Sequence, residues 1–272
     1  MCLVAMAWGL HPSLPLVLAA NRDEFHQRQA SPMGWWDDGL TLAGRDLEAG
    51  GTWLGLSRQG RIGLLTNVRE PWLAQQDLPT RGALVPLWLR DATDADDMAH
   101  RLLARPTKGY NLLGVDLVTA QAHCWSNRHG HRCALGPGLY GLSNAALDTP
   151  WPKLQRLKRS VSEALQHHAH DALLDPLLQA LADRTQPEDA QLPQTGLPPD
   201  WERWLSSIFI ETPDGRYGTR CSTVVVVRHP SPCHWQVHAV EQGWNSRGEA
   251  THRVAHSLSI GGREASPAAP CA

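Results

Sequence analysis

The sequence predicts an α+β fold in which strands are packed as layers under helices. Apolar runs separated by turn residues occupy both ends of the chain, whereas a helical period of 3.6 residues dominates from Pro152 to Arg184. The 272 residues are enough to bury a full core, and 42% of them are hydrophobic. Because strands enclose the helices and no repeat occurs, we expect one domain over 1–272, with a surface loop or linker at about 186–199.

The first predicted element is a β-hairpin that begins at Cys2. Apolar residues fill 2–8 and 16–20, and a His-Pro-Ser-Leu-Pro segment forms the turn between these two runs. The second strand ends on the polar tetrad Asn21-Arg22-Asp23-Glu24. Because the two strands of a hairpin pair with each other, we expect the tetrad to lie beside Cys2.

The remaining elements follow from the same patterns. Strands are predicted at 52–57, 62–66, 111–118, 122–127, 208–211, 222–228 and 235–240, with a last strand in the tail. Helices are predicted at 83–90, at 96–104, from Pro152 onward and at 172–184. The nearly continuous valine run after Ser222 is typical of a strand that is covered on both faces.

Composition excludes several classes of function. The formal net charge is −2, and the one cationic stretch, Lys153 to Arg159, is interpreted as a solvated helix face, so no nucleic-acid partner is expected. No apolar run reaches the roughly 18 residues of a transmembrane segment. No Lys or Arg precedes Arg22, so the positive region of a signal peptide is missing, and a cytoplasmic location with reduced cysteines is expected.

Cys2 is the strongest candidate for a reactive residue. Methionine aminopeptidase removes Met1 when the next residue is small, which would leave a thiol and a free α-amino group on one residue. Their reference pKa values are about 8.5 and about 7.7–8.0, so the amine can serve as base for the thiol. Asp23 could hold the amine, and Arg22 could lower the pKa of the thiol and face an anionic substrate. Taken alone, Cys2 could also be an ordinary strand residue.

A second group of reactive side chains has the residue types of a metal site. The spacing matches no common zinc pattern, so a hairpin tip with surface histidines is the favoured interpretation and a metal site the alternative. The group consists of His123, Cys124, His129, His131 and Cys133.

Seven further motifs follow the tetrad in order and cover nearly the whole chain. They are Gly44-Arg-Asp-Leu, Gly50-Gly-Thr-Trp-Leu-Gly55, Leu65-Thr-Asn-Val-Arg-Glu70, Arg81-Gly, Tyr110-Asn-Leu-Leu, Tyr140-Gly-Leu-Ser-Asn-Ala-Ala-Leu-Asp-Thr-Pro-Trp-Pro-Lys153 and Tyr217-Gly-Thr-Arg-Cys-Ser-Thr223. By these seven motifs and the tetrad, the chain is identified as a member of the NRDE family, also called the transport and Golgi organisation protein 2 family.

This family resembles the N-terminal nucleophile (Ntn) hydrolases, which implies a four-layer αββα sandwich. The resemblance is to the cysteine enzymes of that group, which cleave conjugated bile acids and penicillin V. Arg and Asp are adjacent here, a tighter spacing than in those hydrolases, so Glu24 is the substitute for Asp23. The resemblance implies that Cys2 is the nucleophile and that Arg22 and Asp23 are the active-site Arg and Asp. It also implies that Asn67 and Asn144 are oxyanion donors and, by a looser match, that Arg220 is a C-terminal active-site Arg.

Two functions are compatible with the resemblance. One is an Ntn-type cysteine hydrolase that acts on a small-molecule amide or thioester through Cys2 after Met1 removal, and it requires no cofactor. The family also implies roles in haem trafficking and in lipid or acyl-CoA metabolism. The alternative is therefore a carrier that holds haem or acyl-CoA in the same pocket, with Trp and Arg residues as wall and anion clamp and Cys2 or a His as axial haem ligand.

Overall fold

Two antiparallel β-sheets form the centre of the molecule. The computed structural model describes residues 2–71, 78–91, 94–130, 132–168 and 172–261. Within these residues, the strands are β1 (Cys2–His11), β2 (Leu14–Phe25), β3 (Ala30–Trp35), β4 (Thr41–Asp46), β5 (Leu54–Ser57), β6 (Arg61–Asn67), β7 (Tyr110–Asp116), β8 (Gln121–Ser126), β9 (Cys133–Ala134), β10 (Gly138–Leu142), β11 (Tyr217–Ser231), β12 (His234–Trp244) and β13 (Ala250–Gly261).

The order of the strands places both ends of the chain in one sheet. The first sheet has the order β10-β1-β2-β11-β12-β13, and the second runs from β3 to β9 in chain order. In the first sheet, Cys2 pairs with Arg22, and Arg22 pairs in turn with Cys221. These three residues therefore lie side by side on neighbouring strands.

The helices come from two parts of the chain. They are α1 (Leu84–Pro86), α2 (Ala95–Leu103), α3 (Pro152–His167), α4 (Leu174–Leu181) and α5 (Pro199–Trp204). A π-helical turn, Leu87–Asp91, follows α1. The Asp94 carboxylate caps α2 by accepting the N–H groups of Asp96 and Asp97.

Three apolar clusters show how these elements are layered. Alternate residues of β1 contribute to two clusters, because successive side chains of a strand point to opposite faces. Val4 packs with residues of the second sheet such as Leu64, whereas Leu3 packs with α3 and α4. A third cluster joins the outer face of the second sheet to the helices between Leu84 and Leu102. The four-layer αββα sandwich expected from the family resemblance is therefore confirmed.

The predicted strand at 208–211 is wrong. Apart from one isolated bridge between Glu211 and Gly218, these residues make no strand pairing. Single hydrogen bonds of mixed kind replace a ladder, since Asn21 Nδ2 donates to the Ile208 carbonyl at 3.0 Å, the Phe209 N–H donates to the Asp183 carbonyl at 2.8 Å and the Ile210 N–H donates to Thr219 Oγ1 at 2.9 Å. The segment is buried by packing in two apolar clusters, and these bonds satisfy its backbone groups without a regular ladder.

The predicted helix at 83–90 is shorter and less regular than expected. Pro86 has no N–H to donate to Gly82, and the Gly82 carbonyl instead accepts the N–H of Thr52 at 3.0 Å. The chain therefore changes from α1 to a π-helical turn at this point. Sequence patterns also missed β3, β4, β9, β10 and α5.

Two other expectations can be compared with the structure. The loop at 186–199 is irregular apart from a 3₁₀ turn, Asp189–Gln191, and the first residue of α5. Cys2, Cys124, Cys133 and Cys221 have free thiols. Among the residues described, no helix is long and apolar enough to cross a membrane.

Candidate functional site

A cavity of about 600 Å³ is lined by residues of both sheets. It lies at the end of the space between the sheets, where β1 begins and the tetrad in β2 is located. Five of the six predicted catalytic residues line it, and Asn144 does not. The five are Cys2, Arg22, Asp23, Asn67 and Arg220.

Cys2 is the first residue of β1 and is only 6% exposed. Burial raises the pKa of its thiol to about 11. The sulfur is therefore protonated at neutral pH in the full-length chain. A thiolate at this position requires a base or a further positive charge.

Arg22 lies between two cysteines, since it pairs with Cys2 on one side and with Cys221 on the other. Its side chain is 10% exposed, and Nη1 is buried with no hydrogen-bond acceptor among the described residues. Nη2 is 3.8 Å from Asp46 Oδ2, and this oxygen already accepts a hydrogen bond from Arg28 Nε at 2.7 Å. The cavity therefore contains a buried guanidinium with an unused donor.

Asp23 is held by hydrogen bonds on the buried side of β2. Its Oδ1 accepts from Thr219 Oγ1 at 2.8 Å, and its backbone carbonyl accepts from the Tyr217 hydroxyl at 3.0 Å. Burial raises the pKa of the carboxyl, and the positive charge of Lys153 opposes this shift. The carboxylate is therefore fixed next to the start of the chain. This is the position that the predicted binding of the Cys2 amine requires.

Lys153 corrects the interpretation of its helix face as solvated. It is 2% exposed, and its Nζ donates to the Leu205 carbonyl at 2.8 Å. Burial lowers the pKa of the ammonium to about 8, and Asp23 acts in the opposite direction. Sequence reasoning missed Lys153 as a neighbour of the site, although it ends the longest family motif.

The two asparagines predicted as oxyanion donors differ in their availability. Asn144 is buried, and its Nδ2 donates to the Asn67 carbonyl at 2.8 Å. The adjacent Ser143 hydroxyl lies within 3.5 Å of the Cys2 carbonyl oxygen. Asn67 lines the cavity, whereas Asn144 does not, and one of the two N–H groups of its amide is used to hold the Asn67 backbone. The geometry therefore favours Asn67 as the donor.

Arg220 and Glu24 lie at the rim of the cavity. Arg220 occupies an irregularity in β11, and its Nη1 donates to the carbonyls of Phe25 and Arg28 at 2.8 and 2.7 Å. These bonds hold the turn that follows β2. Glu24 Oε1 accepts the Phe25 N–H at 2.9 Å. Both predicted residues are thus brought to the site and both already have local partners.

Three further lining residues were missed as site candidates. Arg81 lies in a family motif, and its Nη1 donates to the Gly109 carbonyl at 3.0 Å. Cys221 also lies in a family motif, and burial raises the pKa of its thiol. Glu241 has no sequence motif to mark it, and its Oε1 accepts the N–H of Met33 from the second sheet at 2.8 Å. Only the pairing of β12 with its neighbours brings Glu241 to the cavity.

The His and Cys group at β8 and β9 lies away from this cavity. Cys124 pairs with Cys133 across the two strands, and burial raises the pKa of Cys124 to about 12. His131 lies outside the described residues. Within the part of the chain that the structure describes, no three His, Cys, Asp or Glu side chains are arranged to hold a metal ion.

A solved structure shows a weak likeness to this chain. It is a Caenorhabditis elegans N-acylethanolamine-hydrolyzing acid amidase ortholog, with a TM-score of 0.46 and 11% sequence identity over 83% of this chain and 92% of that one.

Comparison with sequence families gives a stronger result. The family model described as Transport and Golgi organisation 2 matches residues 1–246. The Transport and Golgi organization protein 2 homologs of Bos taurus and Homo sapiens are 34% and 33% identical over 251 and 250 residues, in each case 84% of this chain and 88% of the relative. The Drosophila melanogaster protein is 26% identical over 92% of this chain and 95% of its own. The chain belongs to the Transport and Golgi organisation 2 family.

Proposed function

We propose that the protein is an Ntn-type cysteine hydrolase that acts on a small-molecule amide or thioester. Cys2 is the nucleophile once methionine aminopeptidase has excised Met1, and a cytoplasmic location is part of the proposal. The observation that carries the proposal is that Cys2 lines a cavity of about 600 Å³ directly opposite Arg22 in strand register. A nucleophile beside a guanidinium and a cavity for the substrate are the parts that such a reaction needs.

Excision of Met1 supplies the base that the full-length chain lacks. The Cys2 nitrogen then becomes an amine that accepts the thiol proton, and Asp23 orients this amine. The sulfur attacks the carbonyl carbon, so a C–S bond forms and an electron pair moves onto the carbonyl oxygen, which Asn67 stabilises. Collapse breaks the bond to the leaving nitrogen or sulfur, which takes the proton. Water then attacks the acyl group on Cys2, which releases a carboxylic acid and restores the thiol.

The positive charge of Arg22 supports the same step. An adjacent guanidinium stabilises the thiolate relative to the thiol and so opposes the effect of burial. Burial outweighs this effect, since the pKa of the thiol is about 11 with Arg22 in place, so the free amine is needed as the base.

A second candidate function is binding without turnover. Five arginines line the cavity, and guanidinium groups pair well with the phosphates of acyl-CoA or the propionates of haem. The five are Arg22, Arg28, Arg45, Arg81 and Arg220. His26 and His252 also line the cavity and could ligate haem iron, as could Cys2.

Trapping of the acyl-enzyme tests the hydrolase proposal. Met1-free protein is mixed with amides and N-acetylcysteamine thioesters of increasing acyl length, quenched in acid within seconds and measured by intact mass. The proposal predicts the mass of the acyl group on the peptide that contains Cys2, followed by its release. A stoichiometric Soret shift with haem, or retained acyl-CoA, without any covalent adduct or product would instead support the carrier.

A further inference from the structure

The most unusual group in the cavity is the Arg22 guanidinium. Its side chain is 10% exposed, and its Nη1 has no acceptor within the described residues. A buried charged donor without an acceptor is strongly unfavourable, because it has lost its hydration without replacement. The acceptor that would compensate for this must therefore come from a molecule that enters the cavity.

The acidic groups of the cavity do not supply this acceptor, since within the described residues none of them accepts a hydrogen bond from Arg22 Nη1. Asp46 accepts from Arg28 Nε at 2.7 Å, and Glu24 accepts the N–H of Phe25. The other two accept from residues of neighbouring strands: Asp23 from Thr219 and Glu241 from Met33. Arg22 therefore has a salt-bridge contact at 3.8 Å but no hydrogen bond to any of them.

The other cations of the cavity reinforce this imbalance. In the described ranges, Arg45, Arg81 and Arg220 have no carboxylate within 4.0 Å; Arg81 and Arg220 instead donate to backbone carbonyls. Within the same described ranges, Arg28 is the one lining arginine that forms salt bridges shorter than 3.5 Å, with Asp46 at 2.7 Å and with Glu48 at 3.4 Å. An anionic ligand group would thus be attracted to the cavity and bound at Arg22.

We propose that Arg22 is the receptor for a carboxylate carried by the acyl part of the substrate. Arg22 and Cys2 are directly paired, and paired Cα atoms in antiparallel strands lie about 4.5–5.5 Å apart. Paired residues present their side chains on the same face of a sheet, and both side chains line this cavity, so we infer that the carboxylate and the reacting carbonyl belong to one short acyl chain. The substrate class is an amide or thioester of a short dicarboxylic acid. The carboxylate is inferred from Arg22, whereas the amide or thioester bond rests on the proposed function.

Two alkylating agents of nearly equal size test the receptor without requiring turnover. Iodoacetate carries a carboxylate and iodoacetamide a neutral amide, and the rate of each at Cys2 is followed by peptide mass in Met1-free protein. The exposed Cys133 in the same chain provides the internal reference. We expect the ratio of iodoacetate to iodoacetamide rates to be about tenfold higher at Cys2 than at Cys133, the effect of one charge-assisted hydrogen bond.

Variants assign the preference to Arg22. Arg22→Gln should reduce the ratio at Cys2 to that at Cys133, whereas Arg22→Lys should keep most of it. Arg203→Gln removes an exposed positive charge on α5 and should leave the ratio unchanged. Equal ratios at Cys2 and Cys133 in the wild-type protein, or a preference that persists in Arg22→Gln, would overturn the inference.

Protection of the wild-type protein gives a test that does not depend on the folding of any variant. Succinate should slow the iodoacetamide labelling of Cys2, and succinamide should not; equal protection by both, or by neither, contradicts the receptor. These readouts are separate from acyl-enzyme formation. A protein that prefers iodoacetate but forms no acyl-enzyme with any substrate would retain the receptor and lose the proposed hydrolase.

Discussion

Replacement of Cys2 by alanine is expected to reduce turnover of an amide or thioester substrate by about 10³-fold or more, to the rate without protein. The substitution removes the sulfur that forms the acyl-enzyme and leaves the β1 backbone unchanged. Alanine is also small, so Met1 is still excised, and both the wild-type protein and the variant begin at residue 2. The measurement is the initial rate of product release at saturating substrate for each protein.

The control for this prediction is the loss of a thiol elsewhere. Cys133→Ala removes an exposed thiol on β9 and should retain full turnover. Thermal unfolding of both variants establishes that they are folded. If folded Cys2→Ala turned substrate over at the wild-type rate, another residue would have to be the nucleophile.

Loss of Glu202 is expected to cause the largest change in stability. Arg69 Nη1 lies 2.7 Å from Glu202 Oε2, and the two side chains are 5% and 6% exposed. The Arg69 guanidinium also stacks on the ring of Trp151 at 4.9 Å. Glu202→Gln leaves this buried charge without its counter-ion and should lower the free energy of unfolding by about 3–5 kcal/mol. Urea denaturation measures the change.

Two further variants make this prediction specific to burial. Arg203→Gln breaks an ion pair of the same length, 2.7 Å to Asp189, but on an exposed surface, and should not shift the urea midpoint measurably. The double variant Arg69→Met/Glu202→Met removes both charges and should recover most of the lost stability. An unchanged midpoint in Glu202→Gln would show that the pair makes no net contribution.

The parts of the site that could be predicted from sequence are those set by local geometry. Cys2 and Arg22 lie in two strands joined by a tight turn, so their proximity follows from hairpin pairing alone. The layers also follow from sequence, because β1 and β2 are apolar on both faces and must be covered on both sides. The family motifs supplied the αββα arrangement, which periodicity alone could not.

The parts that could not be predicted depend on contacts between distant segments. Lys153 has the charge of a surface residue, and only the packing of α3 against the Leu205 carbonyl makes its burial possible. Asn144 has the residue type of an oxyanion donor, but only the contact of its amide with the Asn67 carbonyl shows that it lies behind Asn67 and not in the lining of the cavity. β3 is an edge strand with few buried side chains, so it shows no clear hydrophobic alternation.

The central claim is that Cys2 becomes an N-terminal nucleophile, and the intact mass of protein purified from a bacterial cytosol tests it most directly. The mass is measured before and after limiting iodoacetamide. We predict that Met1 is absent and that Cys2 is labelled first at neutral pH. In protein made with the aminopeptidase inhibited, Cys2 should be labelled slowly at neutral pH. Its labelling rate should then rise about tenfold with each pH unit as the pH approaches the thiol pKa of about 11. Retention of Met1 in the normal protein would contradict the claim, because the amine would be locked in a peptide bond.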